Sequence, residues 1–149
     1  PILGAHGSRP EKEFGEGPDV LWLWPDVYYV IEAKNGNQES LHKSDAEQIT
    51  YSIEWFKKLY KMYGEPVPIV IAEVAVSDHH VSFPLDTRVL LPEGMRRLLD
   101  NLQKLYRTLI AQPDKRNNLK SIAKLQSDFT VLPNQLAKNY FVKVMEAKR

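Results

Sequence analysis

Gly17-Pro18-Asp19-Val20-Leu21-Trp22-Leu23-Trp24-Pro25-Asp26-Val27-Tyr28-Tyr29-Val30-Ile31-Glu32-Ala33-Lys34 is the stretch that decides the fold. It holds two apolar, aromatic runs, 20–24 and 27–31, both rich in strand formers. Pro25-Asp26 between them is turn chemistry. A hairpin centred there pairs Trp24 with Val27, Trp22 with Tyr29 and Asp19 with Glu32. Directly opposed residues share a face, with Cβ atoms about 5 Å apart. Lys34, two residues past Glu32, falls on that face too. A slip of one residue would send Asp19 to the opposite side. Two facing carboxylates can hold a hard divalent cation through oxygen. The carbonyl of Ala33 lies between the two side chains and offers another oxygen, and Lys34 supplies positive charge beside them. A hairpin with ordinary solvated charges at its ends is the plain alternative. It leaves unexplained why the charges fall opposite one another after strongly apolar strands.

Working outward, residues 1–18 read as a loop, with Pro10 and four glycines among them. After Lys34, Asn35-Gly36-Asn37 breaks the chain. Ser44-x-x-Glu47 predicts a helix from about Asp45. Ile49, Ile53, Phe56, Tyr60 and Tyr63 continue it as an apolar stripe until Gly64 and Pro66 stop it. Residues 67–76 read as a strand, apolar throughout 69–72. That pattern predicts a central strand reached by a helical crossover. A short strand is expected over 88–91. A helix opening at Pro92 or Glu93 should bury Leu98, Leu99, Leu102, Leu105, Tyr106 and Leu109, and Pro113-Asp114 should break it. Two more helices are expected near 117–127 and 134–147. The order strand, strand, helix, strand predicts a mixed α/β sheet. The division expected is a core over 1–112 with a helical C-terminal extension of the same domain over 113–149.

With 149 residues, 43% hydrophobic and 26% charged, the chain fits one globular domain. No window is apolar for long enough to span a bilayer, and the start carries no signal-peptide pattern. The lack of cysteine excludes disulfides and thiolate metal sites and fits a reducing, cytoplasmic setting. The chain starts at Pro1 rather than a methionine, as a piece of a longer protein would. The net charge of +1 conceals an asymmetry. Residues 1–100 carry 10 Lys/Arg against 16 Asp/Glu; residues 101–149 carry 10 against 3. Acidic residues suit cation binding and a basic half suits phosphates, although basic residues are also the ordinary wet faces of helices.

Other candidates are weaker. Asp26 repeats the Pro-Asp pair but sits at the hairpin tip, about 20 Å along the strand from Glu32. His79-His80 are adjacent and point opposite ways on extended chain, so they chelate poorly. Glu11, Glu13 and Glu16 fall in the loop before Asp19 and read as solvated. Gln48, on the first turn of the helix, could orient a water or a phosphate. The sequence has no Walker loop, dinucleotide fingerprint, Gly-x-Ser-x-Gly elbow or cysteine nucleophile, which removes most rival enzyme classes.

Gly-Pro-Asp-Val-Leu-Trp followed by Val-Ile-Glu-Ala-Lys-Asn resembles the PD-(D/E)xK nuclease superfamily, with motif residues Asp19, Glu32 and Lys34. The run from Arg9 to Asp19 resembles a narrower group, nuclease-like domains on the C-terminal side of DEAD/DEAH-box helicases. The resemblance covers roughly 3–77. It implies a restriction-endonuclease-like mixed sheet flanked by helices, and Mg²⁺- or Mn²⁺-dependent hydrolysis of DNA leaving a 5′-phosphate. It implies metal ligands Asp19, Glu32 and Ala33, catalytic residues Asp19, Glu32, Lys34 and Gln48, and a helicase domain upstream as a possible partner. Two departures stand out. The further acid that many members carry on a helix before the Asp strand would need a helix before Pro1. The family's Gln-x-x-x-Tyr is here Gln48 with Tyr51 at plus three and Ser52 at plus four, so Gln48 carries over and Tyr51 does not. The other readings expected are a non-catalytic DNA-binding or docking module of the same fold and a sequence-specific restriction enzyme.

Overall fold

The computed structural model describes residues 3–61 and 64–147. Its centre is a six-stranded sheet. The hairpin forms as its sequence dictates: β2 (Val20–Leu23) pairs antiparallel with β3 (Tyr28–Ala33), placing Trp22 opposite Tyr29 and Val20 opposite Ile31. The Trp24 N–H donates to the Val27 carbonyl across the turn at 2.8 Å. After β3 the chain crosses through α2 (Lys43–Leu59) to β4 (Val67–Ile71), which lies parallel to β3 with Glu32 beside Val70. β6 (Arg88–Leu90) adds in parallel on the far side of β4.

The start of the chain departs from the loop expected over 1–18. His6–Ser8 is β1, an edge strand antiparallel to β2, and Pro10–Phe14 is a short helix, α1. Pro10 sits in the first turn of α1, where its missing N–H costs nothing, and Gly15 ends the helix in the left-handed conformation at φ 76°. α2 begins at Lys43, two residues earlier than expected, because its capping acid is Asp45: the carboxylate accepts the His42 N–H at 2.8 Å. The predicted stripe of Ile49, Ile53 and Phe56 is buried; Tyr63 lies outside the described residues. The strand expected over 67–76 ends at Ile71, and Val76–Ser77 forms β5 of a separate two-stranded sheet.

α3 (Pro92–Ala111) opens at the expected proline and buries Leu98, Leu105 and Leu109, while Leu99 and Tyr106 stay about half exposed at the margin of its apolar face. Pro113 breaks α3 and starts a single turn, α4 (Pro113–Arg116). α5 (Leu119–Asp128) and α6 (Pro133–Tyr140) follow. The helix expected over 134–147 stops at Tyr140. Val142–Lys143 becomes β7, pairing with β6, and Met145–Glu146 becomes β8, pairing with β5. The tail therefore closes both sheets.

Side-chain alternation sends the sheet's side chains to its two faces. Leu21, Leu23, Tyr28 and Val30 pack against Ile53, Trp55 and Phe56 of α2. On the opposite face Trp24, Tyr29 and Ile31 meet Leu98, Leu105, Leu125, Leu136 and Tyr140 of the C-terminal helices. Trp24 and Tyr29 meet edge-on at 5.7 Å, and the Tyr29 hydroxyl donates to the Pro133 carbonyl at 2.9 Å. The molecule is thus a mixed α/β sheet with helices on both faces. No helix of the described residues is long and apolar enough to cross a membrane.

Gly17 fixes how the Asp19 strand enters the sheet. Its φ is +93°, and a Cβ there would lie 2.8 Å from the Trp55 ring of α2. Gly17→Ala adds backbone strain to that clash. It should lower the urea-unfolding free energy by about 2–4 kcal/mol; a midpoint equal to wild type would show that the loop does not rest on Trp55.

Candidate active site

The row Tyr28, Val30, Glu32 runs along one face of β3. The first two members join the α2 core; the third is a carboxyl that is 1% exposed. Glu32 therefore occupies a position that the strand pattern assigns to a hydrophobe. Burying an ionised carboxylate is costly, so it must be neutral or well partnered. α2 supplies the partners: Ser52 donates its hydroxyl to Oε1, and the Gln48 amide donates to Oε2 at 2.5 Å. Burial nevertheless pushes the Glu32 pKa up to about 7; the Ser52 hydrogen bond opposes this and the charge of Asp19 adds to it.

Asp19 stands one residue before β2, so the hairpin register extends to set it opposite Glu32. Its Oδ2 accepts the Ala33 N–H at 2.8 Å. Partial burial raises its pKa. The Ala33 N–H, hydrogen bonds from the carboxyls of Glu11 and Glu32, and the positive charge of Lys34 outweigh that and hold it below the ordinary range. Asp19 is thus the anion on which the other two carboxyls lean.

Glu11, expected in a loop, lies on α1 instead; it stays exposed and shares a hydrogen bond with Asp19. Sharing a hydrogen bond with Asp19, and then repulsion from it, raises the Glu11 pKa. The Glu11 N–H also donates to the Pro18 carbonyl at 3.3 Å, which holds α1 against the Asp19 loop.

Lys34 follows β3 and is nearly buried. Its Nζ lies 3.2 Å from Asp45 Oδ1 and donates to the Gln48 Oε1. Gln48 thereby bridges Glu32 and Lys34. Tyr51 is about half exposed and makes no contact with the carboxyl group among those described, whereas Ser52 at plus four is buried and bonded to Glu32. Sequence reasoning gave Ser52 and Asp45 no role in the site and read Glu11 as solvated. Helical spacing was the signal for the first, since Gln48 and Ser52 share a face.

The other candidates stand apart. Asp26 lies in the turn between β2 and β3. His79 lies 3.7 Å from Glu146, and the His80 N–H donates to that carboxylate at 3.2 Å.

The group sits at the carboxyl ends of the parallel strands β3 and β4 and at the N-terminal turns of α2, where α/β sheets characteristically present their ligand sites. The donors are oxygens, which suit a hard divalent cation. Among the described residues, no three His, Cys, Asp or Glu side chains are gathered closely enough to enclose an ion as they stand. Asp19 and Glu32 would need the Ala33 carbonyl and water to complete a shell. No family model matches the sequence, and no curated protein or solved structure matches it.

Proposed function

We propose that this chain is a nuclease domain that hydrolyses phosphodiester bonds of DNA with Mg²⁺ or Mn²⁺. The observation that carries the reading is the buried carboxyl of Glu32 facing Asp19, with Lys34 held alongside through Gln48. Two carboxyls forced together, one with its pKa raised to about 7, form an oxygen site that a divalent cation would relieve of like-charge repulsion. A bound cation supplies neutralising charge and an acidified water. The chain's residues do the rest. Ser52 and Gln48 fix the orientation of Glu32, and the Ala33 N–H fixes Asp19. Lys34 offers a cation to the charge that builds on phosphorus as the bond breaks. The restriction-endonuclease-like fold, and a helicase domain upstream, belong to the same proposal.

The test uses plasmid and linear DNA with Mn²⁺, Mg²⁺ or EDTA. Cleavage is expected with either metal and absent in EDTA. Asp19→Ala and Lys34→Ala should each reduce the rate by roughly 10²–10³-fold while preserving the circular-dichroism spectrum. Undiminished cleavage by both variants would remove the mechanism.

One observation favours a second reading, a catalytically inactive DNA-binding or docking module of the same fold. Both oxygens of Glu32 are already engaged by neutral donors of α2. DNA binding in a gel shift without metal-stimulated nicking would select it.

A further inference from the structure

A lysine ammonium is a strongly hydrated charge on a flexible stem, and it leaves water only when acceptors replace the lost hydration. Lys34 has two such acceptors. One is Gln48, whose amide is tied to Glu32. The other is Asp45, 3.2 Å away and itself only 4% exposed. The second oxygen of Asp45 accepts the His42 N–H at 2.8 Å. His42 is anchored in turn: its Nδ1 lies 2.7 Å from Asp78 Oδ2, and Ser40 donates to the other Asp78 oxygen. The Asp78 N–H donates to the Leu41 carbonyl at 2.9 Å, which ties the loop after β5 to the start of α2.

Capping needs only one oxygen of the acid, the one that accepts the N-cap N–H. Asp45 does not face solvent; it caps α2 with one oxygen and turns the other to Lys34. An ammonium has three N–H donors. Gln48 accepts one of them and Asp45 balances the charge from 3.2 Å, which leaves donor capacity for a substrate.

We infer that Asp45 is the positioning residue for Lys34: it ties the ammonium to the first turn of α2, so that its uncommitted N–H is presented beside Glu32 to a phosphate oxygen. The inference rests on the proposed nuclease reading and extends it by one residue. Asp45 touches neither metal nor substrate, so its effect must pass through Lys34.

The test is a double-mutant cycle on cleavage of a labelled DNA duplex with Mn²⁺. Asp45→Asn is close in shape and keeps an oxygen for the His42 N–H. It should lower kcat by about 10–100-fold and leave KM within about twofold, the pattern of a misplaced catalytic group. Lys34→Ala should cost more, and Asp45→Asn added to Lys34→Ala should cost nothing further, because the residue it positions is gone. Losses that multiply would overturn the inference, as would Asp45→Asn cleaving at the wild-type rate. Asp45→Ser, which also keeps an oxygen, is carried in parallel. If both Asp45 variants are unfolded at room temperature, Asp45 is a structural group and the inference falls. Wild-type protein that cleaves no DNA would overturn the proposed function itself, an outcome distinct from cleavage that ignores Asp45.

Discussion

Glu32→Gln is expected to reduce metal-dependent DNA cleavage by roughly 10³-fold or more and, at pH 8, to make the metal-free protein more stable than wild type. The two opposed effects follow from one fact. Glu32 stands where the β3 pattern calls for an apolar side chain, and it is 1% exposed. Burial first, and the charge of Asp19 with it, lift its pKa from 4.5 to about 7. The folded protein therefore holds a proton on Glu32 that the unfolded chain has already released. Between about pH 4.5 and pH 7 the native state binds more protons, so stability falls as the pH rises through that window and levels off above it. The loss is of order 2–3 kcal/mol for wild type. Glutamine carries no charge to bury, so its stability should be nearly flat over the same range. Its amide keeps one oxygen for Ser52 or Gln48 but not for both, which limits the gain at pH 8 to about 1–2 kcal/mol. Urea midpoints at pH 5 and pH 8, for both proteins, read the effect without any metal. A wild-type midpoint that rises between those pH values would mean that Glu32 ionises freely, and the buried-carboxyl account would fail.

The hairpin that holds this residue was legible because three independent signals agree. The strands are rich in aromatic and β-branched residues, the turn is Pro25-Asp26, and only one register buries Leu21 and Val30 on the same face. The crossover through α2 to β4 was legible for a similar reason: the apolar run from Ile69 to Ala72 has no polar side to show solvent. α1 is hard to read because Pro10, Gly15 and Gly17 are equally the punctuation of a loop. A proline in the first turn and a left-handed glycine just past the end also bracket a short helix, and Pro10 and Gly15 do so here. That ambiguity conceals the place of Glu11 on a helix. The end of the chain was misjudged on different grounds. Residues 134–140 keep helical spacing, but residues 142–143 and 145–146 pair instead with β6 and β5, far away in sequence. No local pattern encodes such a partner. Ser52 and Asp45 are intermediate cases. Helical spacing puts Ser52 on the same face of α2 as Gln48, and Asp45 stands at the helix start, but their importance depends on what β3 brings opposite them: Glu32 in one case, Lys34 in the other.

The largest stability loss expected away from the carboxyl group is at Gly94, in the first turn of α3. A Cβ added there would lie 2.2 Å from the carbonyl oxygen of Tyr140 and 3.1 Å from a methyl of Leu90. A side-chain tip could swing aside, but the nearer atom is backbone at the end of α6, so relief requires the two helices to separate. Separation would weaken the hydrogen bond from Arg97 to the Asn139 carbonyl, now 2.9 Å, and would open the core at Leu98, Leu136 and Tyr140. It would also pull on β7, which begins two residues after Tyr140 and closes the sheet against β6. Gly94→Ala should therefore cost about 3 kcal/mol or more, at or beyond the upper end of ordinary overpacking, despite the gain in helix propensity of about 1 kcal/mol that alanine brings over glycine. Gly7→Ala serves as the control. Its Cβ would meet nothing closer than 4.0 Å, and its unfolding midpoint should stay near wild type. Equal midpoints for Gly94→Ala and Gly7→Ala would mean that α3 and α6 do not touch at this glycine, and the close crossing that seats the C-terminal helices on the sheet would have to be redrawn.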